Sequence, residues 1–343
     1  MTNPGTATGP APRVLTIVLN YKTADMTLDS VAAARIAMEG IPGGIIIVDN
    51  DSQDGSFERI SAHVAREGWD AEGRVRVVQA GHNGGFGAGN NVGIRAGLAD
   101  GSAPDYVYVL NSDAFPAPDA IRVLLNHLEA TPEAGFAGSY IHGPEGDTHL
   151  TSFRFPSIAS EFEGSIRFGP VSRLLKNHRV PVETPTQTQA VDWLAGASIM
   201  MRQSVLDEIG LFDETFFLYF EETDLCLRAA RAGHRTDYLP ASKVAHIGSA
   251  TTGMKEWKRM PSYWYDSRWY YFSKNYGRLY ATAATAMHLL GGGLDYLRCL
   301  VTRRERKVTP GFLTTMLFHD MRALVRRPAA SQVQESRDTI SQS

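Results

Sequence analysis

A chain of 343 residues, 43% hydrophobic and 21% charged, has the make-up of a packed protein, which excludes a wholly disordered or collagen-like one. Its length suits about two domains. The 34 Lys+Arg and 37 Asp+Glu nearly cancel, yet residues 1–254 carry 19 against 30, a net −11, and residues 255–343 carry 15 against 7, a net +8. An acidic body with a basic tail implies two jobs, and the tail's charge points to an anionic surface.

The first residues, MTNPGTATGPAPR, contain no apolar run of the kind a secretion signal needs, so residues 1–12 read as a flexible leader. Apolar, β-branched runs at Val14–Leu19, Ile45–Val48, Val75–Val78 and Tyr106–Leu110 predict strands. Met26–Met38, Gln53–Arg66 and Gly87–Leu98 between them predict helices. Strands alternating with helices imply an α/β fold with a mostly parallel sheet, whose ligands sit beyond the carboxyl ends of the strands. The residues there are Asn20, Tyr21, Asp49, Asn50, Gln79 to Asn83, and Asn111 to Asp113.

Thr148–Gln189 is polar and interrupted by proline, and reads as excursions over the site. Trp193–Arg202 then predicts a buried strand, Ser204 a helix start, and Glu222–Ala232 a helix stopped by Gly233. Arg235–Leu239 and Lys243–Ile247 predict two short strands. From Trp257 onward the chain is aromatic and basic at helical spacing. Cys226 and Cys299 are too few and too scattered for a disulfide framework or zinc module, and read as reduced thiols of a cytoplasmic protein. Leu279–Leu294 is uncharged but broken by His288 and Gly291–Gly293, so it suits lying on a membrane rather than crossing one.

Four features carry chemistry. Asn83–Asn91 is Gly-rich but fits neither the P-loop nor the dinucleotide fingerprint, so it reads equally as a tight turn or a ligand contact. Asp113, after a hydrophobic strand, is placed to hold Mg²⁺ or Mn²⁺, or to cap the next helix. Glu221, Glu222 and Asp224 follow an apolar, aromatic wall; carboxylates so placed can be desolvated and act as a general base, or simply suit a helix N-terminus. His246 gains meaning only if the fold brings it to Asp113, where an imidazole completes a metal shell.

The order of these features is more specific than any one of them. IVLNYKT at Ile17–Thr23, VDNDSQDGS at Val48–Ser56, NGGFGAGNNVGI at Asn83–Ile94 and LNSD at Leu110–Asp113 come first. WLAGASIMMR at Trp193–Arg202, GLFDETFFLYFEETDLCLRAARAG at Gly210–Gly233 and AHIG at Ala245–Gly248 follow. Over about residues 13–255 the chain resembles a family 2 inverting glycosyltransferase of the GT-A fold, in its rhamnosyltransferase-like branch.

The resemblance implies a GT-A domain over 13–255, its nucleotide-binding half 13–113 and its acceptor and catalytic half 114–255. A helical basic and aromatic extension over 256–330 and a disordered tail at 331–343 would follow. It implies transfer of a sugar, L-rhamnose from dTDP-rhamnose foremost or another dTDP- or UDP-sugar, to a hydroxyl of a cell-surface polysaccharide or lipid-linked glycan precursor. Tyr21, Asp49, Asn50, Asn83, Asn90 and Asn111 would bind the donor nucleotide. Asp113 and His246 would hold Mg²⁺ or Mn²⁺, and Trp193 would border the acceptor. Glu222 is the first choice of base, then Asp224, then Glu221.

Two departures stand out: the family's DxD motif is reduced to Asn111-Ser112-Asp113, and its Glu-Asp to Glu221-Glu222. The competing readings are a catalytically inactive sugar-nucleotide-binding scaffold and a sugar-1-phosphate nucleotidylyltransferase. The latter expects a basic Gly-rich signature where Asn20-Tyr21-Lys22-Thr23 stands. The tail's early aromatics are expected to close over the catalytic domain, and its later basic helices to meet an anionic membrane on the cytoplasmic face or a second copy in a homo-oligomer. No nucleic-acid-binding module accompanies the charge.

Overall fold

The structure is a computed structural model that describes residues 10–248, 258–305 and 308–325. Most of the expected leader, Trp257, Arg306-Lys307, Arg326-Arg327 and the expected tail at 331–343 lie outside the described residues.

The described residues fall into two compact units: one runs to Pro156 and from Lys176 to Trp257, the other joins Ser157–Leu175 to the chain from Lys258 onward. In chain order the first begins β1 (Val14–Asn20), α1 (Ala24–Ala37), β2 (Gly43–Asp49), α2 (Ser56–Arg66), β3 (Val75–Gln79), α3 (Phe86–Ala96), β4 (Tyr106–Asn111), β5 (Ala114–Pro116), α4 (Ala120–Ala130), β6 (Ala134–His142) and β7 (Ser152–Phe153). After α5 (Ile158–Ile166) and α6 (Gly169–Leu174) of the second unit come β8 (Gln189–Val191), β9 (Trp193–Leu194), β10 (Ser198–Arg202), α7 (Gln203–Ile209), α8 (Glu221–Arg231) and β11 (Arg235–His246). The second unit ends with α9 (Ser262–Tyr276), α10 (Arg278–Thr302) and α11 (Phe312–Val325).

The sheet runs β3-β2-β1-β4-β10-β6-β11-β5, with β8 added on β11. β3, β2, β1 and β4 are all parallel, so their polar ends line up: Asn20 pairs with Asp49, Asp49 with Gln79, and Leu19 with Asn111. β1, β2 and β4 are buried on both faces, as crossover helices require, and read as continuous apolar runs. The α/β architecture with flanking helices and a helical C-terminal region is the one expected.

The glycine-rich stretch now has a packing cause. A Cβ on Gly89 would lie 2.5 Å from Leu19 Cδ1, and one on Gly93 would lie 2.8 Å from Ile17 Cγ2. Only glycine lets α3 settle this closely on β1. Local differences from expectation also have causes. Trp193–Arg202 is two strands because Ala195–Ala197 turns between them. Arg235–His246 is a single strand whose pairing slips between Leu239 and Lys243. Thr148–Gln189 contains α5, opened by a capping box in which Ser157 and Ser160 bond reciprocally.

The second unit packs α10 against α5 at small residues; a Cβ on Gly291 would meet Phe162 O at 2.9 Å. Its aromatic residues pack on one another, with Tyr276 stacked on Tyr280 at 4.7 Å and Tyr265 beside Phe312 at 5.5 Å. At its centre Arg268, 1% exposed, donates to Glu161 Oε2 at 2.7 Å, Asp320 Oδ2 at 3.2 Å and Thr285 Oγ1 at 3.1 Å.

Candidate active site

Asp49 ends β2 with its carboxylate already occupied. Asn20 Nδ2 donates to Oδ1 at 2.7 Å, the Ser52 hydroxyl donates to the same oxygen at 2.5 Å, and the Ser52 amide donates to Oδ2 at 3.1 Å. Asn50 Nδ2 donates to Asn83 Oδ1 at 2.9 Å and to Gly85 O at 3.2 Å. Asn90 Nδ2 donates to Phe86 O at 2.9 Å within α3. The buried Oδ1 atoms of Asn50 and Asn90 have no partner among the described residues. Buried acceptors are nearly always paired, so two unpaired ones near these strand ends mark a place for a donor from outside. Tyr21 follows β1 half-buried, with Lys22 Nζ 5.1 Å from its ring centre.

At the end of β4 Asp113 caps no helix, since α4 begins only at Ala120. Across 133 residues of sequence, β11 pairs with β5 and sets His246 beside Ala114. His246 Nε2 lies 3.0 Å from Asp113 Oδ1 and 3.4 Å from Asn111 Nδ2, and the Gly248 amide donates to Asp113 Oδ2 at 3.1 Å. One carboxylate and one imidazole fit a divalent cation whose remaining ligands are water and diphosphate oxygens. Among the described residues no group of three or more His, Cys, Asp or Glu could hold a metal unaided. Asp113 and His246 alone would leave most of the shell to water or a bound substrate.

The acidic cluster opens α8. Tyr219 and Phe220, immediately before it, both take left-handed backbone angles (φ +69° and +71°), which L side chains adopt at a cost. The chain is tied down there: the Phe86 amide donates to Phe217 O at 3.0 Å, and a Cβ on Gly85 (φ +91°) would collide with that same oxygen. The turn delivers three acids into different surroundings. Asp224, fully buried, is held by Arg228 Nε at 2.9 Å, and that guanidinium also donates to Ile209 O, Gly210 O and Leu211 O. Glu221 is 1% exposed and its Oε2 has no partner among the described residues. Burial, and then the charge of Glu222, push its acid well above the ordinary range.

Glu222 is only partly buried, and its Oε1 accepts from the Gly196 amide at 3.0 Å. Burial raises its pKa above the ordinary carboxylate value, against the opposing pull of backbone amides, Gly196's among them.

One short turn joins the acids to the strand that leads to Asp113. Gly196 N–H donates to Glu222, and the next residue, Ala197, accepts through its carbonyl from Asn111 N–H at 3.1 Å. Trp193 leads into that turn, with its ring stacked on Phe153 at 4.2 Å and its indole N–H donating to Arg154 O at 3.0 Å. Sequence reading missed Gly196, Ser52 and the Arg228 clamp. The i,i+4 spacing of Asp224 and Arg228 carried a usable signal for the last.

Comparison with known proteins bears on this geometry. The family model described as Glycosyl transferase family 2 matches residues 14–210, ending before the acids of α8. An N-acetylglucosaminyl-diphospho-decaprenol L-rhamnosyltransferase of Mycobacterium tuberculosis is 30% identical over 222 residues, covering 62% of this chain and 69% of that protein. Rhamnosyltransferase WbbL of Escherichia coli is 29% identical over 165 residues, 47% and 60% of the two chains. Among solved structures, mannosyltransferase PcManGT of Pyrobaculum calidifontis, in complex with GDP-Man and Mn²⁺, aligns with a TM-score of 0.48 at 14% identity, over 92% of this chain and 87% of its own.

Proposed function

The chain belongs to glycosyl transferase family 2, and from that premise we propose that it is an inverting enzyme carrying L-rhamnose from dTDP-rhamnose, or the sugar of another dTDP- or UDP-sugar, to an acceptor hydroxyl. The acceptor is a cell-surface polysaccharide or a lipid-linked glycan precursor, met on the cytoplasmic face of a membrane. The observation that carries the reading is the Ala195–Ala197 turn, which ties a partly exposed Glu222 of raised pKa to the end of β4, two residues before Asp113.

Tyr21 borders the nucleobase. Asn50 Oδ1, buried and unpaired, suits the N3–H of thymine or uracil, and Asp49 is fixed beside it by Asn20 and Ser52. Asn83, Asn90 and Asn111 contact the nucleotide and its phosphates. Asp113 and His246 would hold Mg²⁺ or Mn²⁺, which neutralises charge on the departing diphosphate. Glu222 takes the proton from the acceptor hydroxyl while that oxygen attacks the anomeric carbon. The sugar–phosphate bond breaks as the new glycosidic bond forms, and the nucleoside diphosphate leaves. A single displacement inverts the carbon and needs no protein nucleophile. Trp193 lines the acceptor side. Asp224, bound to Arg228, anchors the helix that carries the base.

A thermal-shift panel of sugar nucleotides with Mn²⁺, followed by hydrolysis and transfer assays, tests the reading. Selective stabilisation by one dTDP- or UDP-sugar, with metal-dependent turnover, is expected. Donor binding without hydrolysis or transfer, under any metal or acceptor, would replace it with the inactive-scaffold reading.

A further inference from the structure

Among the described residues, 19 large hydrophobic side chains are exposed, and 12 of them lie in α10 and α11 of the helical unit. On α10 they recur at helical spacing, with Leu290, Leu294, Leu297 and Val301 forming one stripe. Phe318 and Met321 stand out from α11, 59% and 56% exposed, while Met316 and Asp320 of the same helix face inward. A monomer in water seldom leaves so much apolar surface uncovered without a use for it.

The charge between Leu290 and Val325 decides what covers it. The acids in this span are Asp295, Glu305 and Asp320; Asp295 is buried against Arg298 and Asp320 is buried against Arg268, which leaves Glu305 as the exposed one. Arg303, Arg304 and Arg322 are exposed, and the sequence adds Arg306 and Lys307. A two-fold contact between copies would press this cationic surface on itself. An anionic bilayer instead meets the arginines with headgroups and the leucines with acyl chain. No helix among the described residues is long and apolar enough to cross a membrane.

We propose that the outer faces of α10 and α11 form a docking surface for an anionic phospholipid bilayer. The inference extends the lipid-linked-acceptor reading, and rests on it only for why the enzyme works at a membrane. The test is sedimentation of the full chain with phosphatidylcholine vesicles, with and without phosphatidylglycerol. Binding to the anionic vesicles alone, weakened by salt, is expected. The Leu297→Glu/Val301→Glu/Met321→Glu variant should partition at least about tenfold less, and Arg303→Glu/Arg304→Glu should lose the preference for anionic lipid. All substituted positions are exposed, so circular dichroism and sugar-nucleotide hydrolysis in solution should match the parent. Absence of vesicle binding, equal binding by the triple variant, or a dimer that the triple variant dissolves would each overturn the proposal. Vesicle binding by a chain that hydrolyses no sugar nucleotide would instead strike the transfer reading and leave the docking surface standing.

Discussion

Glu221 and Glu222 in the sheet-based unit and Glu161 in the helical unit are all carboxylates withdrawn from water, and the two units treat them in opposite ways. Burial works against the charged form of Glu161, yet Arg268 and His288, each 2.7 Å from its Oε2, hold its pKa down at about 2. Arg268 also meets Asp320, which His319 Nδ1 approaches to 2.7 Å. Among the described residues Glu221 and Glu222 have no such cation; burial raises both, and Glu221 keeps an oxygen with no partner there. Compensated burial builds a scaffold, because every charge is already answered. Uncompensated burial is costly to keep, and the cost is repaid only if a proton or ligand uses it.

The comparison breaks first at the base. Glu222→Gln is expected to lower kcat by about 10³-fold, or ~4 kcal/mol of barrier, because the acceptor proton has nowhere to go. Donor affinity should stay within a few-fold, since the proposed mechanism gives Glu222 to the acceptor; calorimetric donor titration beside steady-state kinetics checks both. A near-normal kcat would move the base to another residue.

In the helical unit the same kind of change should cost stability instead of chemistry. Arg268→Met leaves Glu161 and Asp320 buried without their cation, and should lower unfolding free energy by about 3–5 kcal/mol in urea titration. Adding Glu161→Gln and Asp320→Asn should recover most of that loss. Failure of the triple variant to recover would mean that packing of Arg268, not its charge, holds the helices together.

Much of this was legible in the sequence, for physical reasons. Strands β1, β2 and β4 announce themselves because runs buried on both faces are continuously apolar and end abruptly in polar residues. The approach of His246 to Asp113 was an expectation of family resemblance, since a contact across 133 residues leaves no local pattern. Gly196 stayed hidden inside WLAGASIMMR, where a break between two strands looks like one apolar run. Arg268 was equally silent: an arginine in an aromatic helix reads as surface, and its burial depends on α5 from over a hundred residues away. The partition of the acids was only partly within reach: the i,i+4 spacing pointed Arg228 at Asp224, but only the fold leaves Glu221 with an unpaired oxygen and gives Glu222 the Gly196 amide.

Gly196 offers a finer cut at the base. A Cβ there would lie 2.6 Å from Glu222 Oε1 and 2.9 Å from the Phe86 ring, so Gly196→Ala must displace the carboxylate it holds. We expect kcat to fall about tenfold, ~1.4 kcal/mol, at unchanged donor affinity, because a misplaced base loses orientation but not basicity. Unchanged kcat would show that the amide contact positions nothing.

The smallest effect separates the two glutamates from each other. Glu221 has a folded pKa above its unfolded one, so its contribution to stability is full below about pH 4.5 and is lost as pH rises through the folded value. Glu161 runs the other way: its contribution is present above its unfolded value of 4.5 and is lost as pH falls through about 2. Glu221→Gln fixes the neutral form, and should therefore flatten the decline above pH 4.5 and add about 1 kcal/mol at neutral pH, leaving the acid limb from Glu161 in place. The rate profile should not follow. Burial raises both carboxyls and the charge of Glu222 raises Glu221 further, so a neutral glutamine in place of Glu221 is expected to leave the proton affinity of Glu222 where it was. If the acid limb of kcat/KM moves with the substitution, the proton belongs to the pair and the base is Glu221 and Glu222 acting together.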